Sequence, residues 1–421
     1  MDEEVATSFP SNESPSARPE KPSWLNVVLL AVALAGWMIF VVACVGGPAW
    51  SPDGSKILFG YYDEVSSREV VAMYDLRTRK TRDLFAQLIR RDEKNEESSI
   101  LSPAWQLNGT RAFVAMSTSL GGDFQCVIMS IPTKSDEAVQ AYNFGKNSAC
   151  LTMAWAPQIG DSLYLGGDED LTWVNLTSGK MDSKSLDGGT GFLSEQNGQL
   201  VYMRGVERPA PTVDKKDATE DGVEFGQIDL NDMSRKPFFS MWGQQVNDLG
   251  LTDNMGGAWE PNGTRIAVPG KGSDGARIIL LDEKKGFLGQ FAPDVGVKLD
   301  RLGPLVWSHD GKTLFAPVIT KGEQDKTFVY DLAEIPIEGA AGRLTRIAGY
   351  HQDSTKEDEE ENMLNFGMQV SLSPDGKTVA ASTGALGDAV AEDDRGLYLI
   401  DVAHPEHRIT KVHVPKKARR H

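Results

Sequence analysis

From residue 48 onward the chain repeats one arrangement of apolar and polar positions. A large apolar residue is followed by a short polar turn containing glycine, and then by an apolar run five to seven residues long. Trp50-Ser51-Pro52-Asp53-Gly54 precedes KILFGYY, Trp105-Gln106-Leu107-Asn108-Gly109 precedes TRAFVAM, and Trp155-Ala156-Pro157 leads through Gly160 and Asp161 to SLYLGG. Ser194-Glu195-Gln196-Asn197-Gly198 precedes QLVYMRG, and Trp259-Glu260-Pro261-Asn262-Gly263 precedes TRIAVPG. Trp307-Ser308-His309-Asp310-Gly311 precedes KTLFAPV, and Leu372-Ser373-Pro374-Asp375-Gly376 precedes KTVAAST.

Asp-Gly or Asn-Gly between two apolar runs is a strong hairpin signal, because Gly and Asn tolerate the positive φ of tight turns. Proline ahead of it presets φ near −65°. The apolar residue before the turn, Trp in five of the seven copies, is placed to end an inner strand and fill the wedge between neighbouring sheets.

A second mark closes a further strand in each copy. It reads Tyr74-Asp75-Leu76, Met129-Ser130-Ile131, Val174-Asn175-Leu176, Ile228-Asp229-Leu230, Leu281-Asp282, Tyr330-Asp331-Leu332 and Ile400-Asp401-Val402. A fourth run follows in most copies: KTRDLF, KPFFSM, RLTRIAG, RITKVHV. Four short strands repeated radially make an all-β propeller of seven blades, or six if the copy at 194 is a decorated insertion. A β-sandwich would not repeat one turn seven times. No strand is visibly exchanged between the two ends of the repeat region, so ring closure is expected to rest on packing between the first and last blades.

The W-S-P-D-G-K element and the Y-D-L ending resemble the WD-repeat-like propeller repeats of TolB-type proteins and of some prolyl-oligopeptidase-like peptidases, over residues 48–415. The resemblance implies the propeller alone. TolB proteins carry an α/β domain ahead of it, for which there is no room between Cys44 and Trp50. A peptidase would need a further hydrolase domain.

Ahead of the repeats, residues 1–23 are Ser/Pro/Glu-rich and cannot build a core. Residues 24–43, WLNVVLLAVALAGWMIFVVA, carry no charge over twenty positions, enough for a helix of about 30 Å to cross a bilayer. Arg18 and Lys21 precede this span and the next base is Lys56, which orients the tail inward and the propeller outward. Val41-Val42-Ala43-Cys44 also reads as a lipobox, with Cys44 lipidated and the preceding segment removed. Segment 24–44 is thus either an uncleaved anchor or a lipoprotein signal. Both readings tether the propeller outside the cytoplasmic membrane.

Composition narrows the function. The 421 residues carry 43 Lys+Arg against 60 Asp+Glu, a net charge of −17, which excludes affinity drawn from nucleic-acid phosphates. Three cysteines exclude a disulfide scaffold, although Cys126 and Cys150 fall in neighbouring blades and form a candidate pair. Polar insertions at 207–222, 353–361 and 391–394 read as solvated loops, and 416–421 as a basic tail. Ser273 in GKGSDG lacks the glycine of a nucleophile elbow, and no H-E-x-x-H, C-x-x-C, P-loop or EF-hand sequence is present. No residue is assigned to catalysis, a cofactor or a metal. The expectation is a non-catalytic module that binds a protein or polymer partner, the alternative an enzyme with acids or a metal at the central channel. The residues singled out are structural: Trp50, Asp53, Gly54, Trp105, Gly109, Trp155, Trp259, Gly263, Trp307, Asp310, Gly311, Asp375 and Gly376.

Overall fold

The computed structural model describes residues 47–63, 68–84, 98–106, 108–120, 123–134, 139–146, 155–159, 162–166, 170–188, 192–196, 199–209, 219–251, 257–261, 263–321, 327–351, 369–383, 395–404 and 406–412. The apolar run 24–43, Cys44, Cys150, the acidic runs 353–361 and 391–394, and the basic tail lie outside them. No helix among the described residues is long and apolar enough to cross a membrane.

Those residues form seven four-stranded sheets, each paired in sequence order and antiparallel throughout. The blades span 49–83, 98–146, 155–185, 192–242, 258–291, 306–351 and 369–412. The copy at 194 is therefore a full blade, and the count is seven. One helix, Gln244–Leu249, follows blade 4 and ends at Gly250, whose φ of 59° is left-handed. The first strands of blades 1 and 2, 3 and 4, 5 and 6, 6 and 7, and 7 and 1 adjoin one another, so they ring the axis.

Blades stacked face to face bury their middle strands on both sides. Gly275–Asp282, third in blade 5, is almost wholly buried, while the outer strand Gly286–Phe291 alternates toward solvent. Along the second strand of that blade, Ile266 and Val268 pack toward blade 4 and Ala267 toward blade 6. Apolar clusters of this kind fill every boundary. Ile57, Leu58 and Phe59 of blade 1 share one cluster with Trp105 and Val114 of blade 2 and with Ala380 and Leu399 of blade 7.

The turn motif fastens blades in three ways. Within the turn, Ser51 Oγ donates to Asp53 Oδ1 at 2.7 Å and accepts from Lys56 N at 2.9 Å. Ser308–Asp310 and Ser373–Asp375 repeat the first bond at 2.7 and 2.6 Å. These bonds hold the Asp53 carboxyl down at about 2, with the Ser51 hydroxyl the largest cause.

Backward, three of the wedge indoles donate their N–H to the carbonyl just before the wedge residue of the preceding blade. Trp105 reaches Ala49 O at 2.8 Å, Trp307 reaches Ala258 O at 2.7 Å, and Trp50 reaches Ser371 O at 3.2 Å. Forward, at three boundaries the residue before the turn Asp or Asn covers the turn glycine of the next blade. A Cβ built on Gly109 would lie 3.8 Å from Pro52 Cδ, and one on Gly54 would lie 3.7 Å from Pro374 Cδ.

Both links recur at the boundary between blades 7 and 1. Ser382 Oγ adds a bond to Gly60 O at 3.2 Å, and Gly47 N bonds the Gln369 side chain. The ring closes by packing and these links, with no strand exchanged among the described residues.

The turn glycines differ in tolerance. Gly54 and Gly311 have φ of 68° and 67°, so alanine at either meets left-handed strain of about 1 kcal/mol. At Gly311 the new Cβ would also lie 2.3 Å from Glu260 Oε1, displacing the carboxylate that holds Arg265. Gly54→Ala is expected to lower stability by about 1 kcal/mol and Gly311→Ala by about twice that, read from urea unfolding midpoints. Equal losses would disprove the Glu260 contact.

One reading of the sequence needs correction. Tyr330-Asp331-Leu332 does not end a strand: Thr327–Pro336 runs on, and Pro336 pairs with Thr313, as Pro132 pairs with Arg111 in blade 2, where blades 1, 3, 5 and 7 place a closing Asp or Asn. Asp75, Asn175, Asp282 and Asp401 do stand there and cap the next turn, as Asp75 Oδ1 does in accepting from Thr78 N at 2.7 Å. The insertion 207–222 is likewise not wholly a loop, because Gln199–Pro209 and Thr219–Asp229 continue one hairpin through both its ends.

Candidate functional site

An antiparallel meander of four strands puts its first and third connections on one face of the ring. The second connection and the crossing to the next blade fall on the other. The first face, here the turn face, carries the short hydrogen-bonded turns. The second, the loop face, carries the strand ends joined by 210–218, 352–368 and 384–394, so the three insertions noted in the sequence all connect on one side. Gly47 and Val412, the first and last described residues, also lie on the loop face.

Blade 4 carries the longest described strands there, 11 residues each in Gln199–Pro209 and Thr219–Asp229. Its second strand pairs with the inner strand only as far as Met203, opposite Phe192, while pairing with the third strand continues to Pro209 opposite Thr219. The hairpin thus extends six residues beyond the inner strand, about 20 Å at 3.3 Å per residue.

Polar side chains stiffen it. Glu224 Oε1 accepts from Tyr202 Oη and from Arg204 Nε, both at 2.9 Å, and Arg204 reaches back to the carbonyls of Asp187 and Gly188 at 2.9 and 3.0 Å. Burial and the Glu224 charge push the Tyr202 phenol well above its ordinary range. Nearer the tip, Arg208 pairs with Glu220 at 2.7 Å and lies 4.4 Å over the Trp242 ring. The hairpin is thus charged along both strands and backed by an aromatic ring.

On blade 6 the misread Asp331 is 4% exposed and accepts from Thr320 Oγ1 at 2.5 Å. Burial raises its pKa against that bond and the Arg346 charge. His407 is 6% exposed. It inserts between blades 6 and 7, with Nδ1 2.5 Å from Thr345 Oγ1 and Nε2 3.1 Å from Glu334 Oε2. Burial and then Arg343 lower its pKa. Neither position carries a signal in the linear sequence, because each is made by a neighbour in another strand or blade.

The residues singled out from the sequence lie apart from this hairpin. Asp53, Asp310, Asp375 and their glycines sit in the turns of the turn face, and Trp105, Trp259 and Trp307 are buried between blades. Trp259 is the exception in bonding, since its indole nitrogen has no partner. Trp155 opens the first strand of blade 3, its side chain outside the described residues. Cys126 is fully buried and disulfide-bonded, while the pairing with Cys150 falls outside the described residues. Among the described residues no group of three or more His, Cys, Asp and Glu could hold a metal ion.

Fold and faces together define a seven-bladed β-propeller whose blades are each built from one continuous stretch of chain. No protein-family model matches the chain. No curated protein matches it either. Among solved structures, the Dos1 propeller is 9% identical with a TM-score of 0.45, covering 90% of this chain and 85% of its own. A putative 6-phosphogluconolactonase from Bacteroides uniformis is 11% identical with a TM-score of 0.44, covering 85% and 95%. A protein from Lactobacillus plantarum is 11% identical with a TM-score of 0.46, covering 85% and 94%. At that distance the likenesses carry no inference about activity.

Proposed function

We propose that the chain is a membrane-tethered propeller, exported from the cytoplasm, whose loop face docks a partner protein or polymer without catalysing a reaction on it. The observation that carries this reading is the inequality of the two faces. The turn face is spent on fastening blades, while the loop face gathers the raised blade 4 hairpin and the ends of every acidic insertion. Clustered acids favour a partner with a basic surface. The tether follows from the uncharged run 24–43 and from Cys44, as anchor or lipid site. A disulfide at Cys126 suits an oxidising compartment. The W-S-P-D-G-K repeats resemble those of TolB-type propellers, which supports export without supplying a partner.

Photo-crosslinking in intact cells tests the reading. A crosslinking amino acid at exposed Glu207 on the loop face is expected to capture a partner, with yield falling as salt rises. The same label at Arg79 or Lys285 on the turn face is expected to capture none. Capture from the turn face alone would reverse the assignment.

A further inference from the structure

We propose that Asn108 and Asn175 are sites of N-linked oligosaccharide attachment, placing glycans on the turn face. Both open an Asn-x-Thr sequence with no proline in the middle, Asn108-Gly109-Thr110 and Asn175-Leu176-Thr177. That sequence is the acceptor for glycosylation of exported chains at surface turns. The fold brings the two to one side. Asn108 lies in the first turn of blade 2, exposed, and Asn175 ends the third strand of blade 3, half-buried beside exposed Thr177.

The turn geometry leaves the reacting atom unburdened. Asn108 Oδ1 accepts from Thr110 N at 2.9 Å and Thr110 Oγ1 at 2.7 Å, and Asn175 Oδ1 accepts from Ser178 N and Ser178 Oγ, both at 2.8 Å. Each turn is held through the side-chain oxygen, so substitution at Nδ2 keeps those bonds intact. The fold itself does not call for an amide. At the corresponding places in other blades Asp53, Asp310 and Asp375, or Asp75, Asp282 and Asp401, accept the same turn bonds through a carboxylate oxygen.

In the transfer, Nδ2 bonds to the anomeric carbon of an oligosaccharide carried on a lipid pyrophosphate. The bond from that carbon to the pyrophosphate oxygen breaks, the lipid pyrophosphate leaves, and Nδ2 gives up one proton. Donor and transferase belong to a eukaryotic secretory compartment, so the proposal rests on the export reading above in its uncleaved-anchor form. Asn12-Glu13-Ser14 precedes the apolar run and stays bare in that orientation. Asn262-Gly263-Thr264 repeats the sequence in blade 5, but Asn262 lies outside the described residues and is not part of the proposal. Glycans on the turn face would screen it from large partners and leave the loop face as the docking side.

The test is expression of the full chain in a eukaryotic secretory host, followed by digestion with a peptide N-glycosidase. The wild type is expected to shift on a gel. Asn108→Asp and Asn175→Asp should each remove one step of that shift, and the double variant two. Aspartate already serves these turns in other blades, so the variants keep the fold. If the propeller is accessible outside and Cys126 is oxidised, yet neither variant alters the mobility, the proposal fails while export stands. A chain held in the cytosol with Cys126 reduced overturns export and the proposal together. A shift abolished by Asn12→Gln alone inverts the topology and also overturns it.

Discussion

Alanine in place of Trp307 is expected to lower stability by about 3–5 kcal/mol, the usual cost of emptying a buried tryptophan site. The indole is 3% exposed, its N–H closes on Ala258 O at 2.7 Å, and the Arg265 guanidinium lies 5.1 Å from its ring centre. Phenylalanine separates packing from hydrogen bonding. Trp307→Phe and Trp105→Phe keep an aromatic wedge but lose the N–H bond to the preceding blade, a further cost of about 1 kcal/mol. Trp259→Phe loses no such bond, because the Trp259 nitrogen has no acceptor to lose. Denaturant midpoints should therefore place the first two variants below the third. The same midpoint for all three would mean that the cross-blade bonds contribute no net stability.

Breaking the disulfide at Cys126 is the second large effect. Cys126 is fully buried among Phe113, Ile128, Leu163 and Val174, where blades 2 and 3 meet. If its partner is Cys150, the closed loop is about 25 residues, and loop-closure entropy assigns it about 3–4 kcal/mol. Cys126→Ala is expected to melt earlier by that amount and to lose the sensitivity of melting to dithiothreitol. Cys150→Ala should do the same, and the double variant should lose no more than either alone. Redox-sensitive melting that persists in Cys150→Ala would assign the bond to Cys44, which a lipidated Cys44 could not form.

What was legible in the sequence was whatever is decided within about six residues. Asp-Gly after Ser-Pro is a local bargain between a left-handed glycine and an oxygen that accepts from the next backbone N–H, and it marked the blades wherever it occurred. Even the degraded copy at Asn197-Gly198 signalled a hairpin, because Gln196 and Gln199 pair across those two residues. Asp331 misled for the complementary reason. Tyr-Asp-Leu recurs by spelling, but its place is set by counting register from Gly311, and the hairpin of blade 6 is long enough to carry the motif into mid-strand. The links from each tryptophan to the blade behind it, the burial of His407 and the gathering of three insertions on one side all join residues far apart in the chain. Topology, not local pattern, makes them. The apolar run before residue 45 is the reverse case, plain in the letters and outside the described residues.

The boundary between blades 7 and 1 is fastened like its neighbours, and the polypeptide enters and leaves on one side. The ring therefore has no privileged origin. Val412 ends an outermost strand and Gly47 leads into an innermost one, some three strand spacings away, or about 15 Å. A bridge of six residues, reaching about 20 Å, would span that width. Cutting elsewhere between blades would then yield the same wheel from a circularly permuted gene, with the sequence ahead of residue 47 regrafted beside any blade chosen.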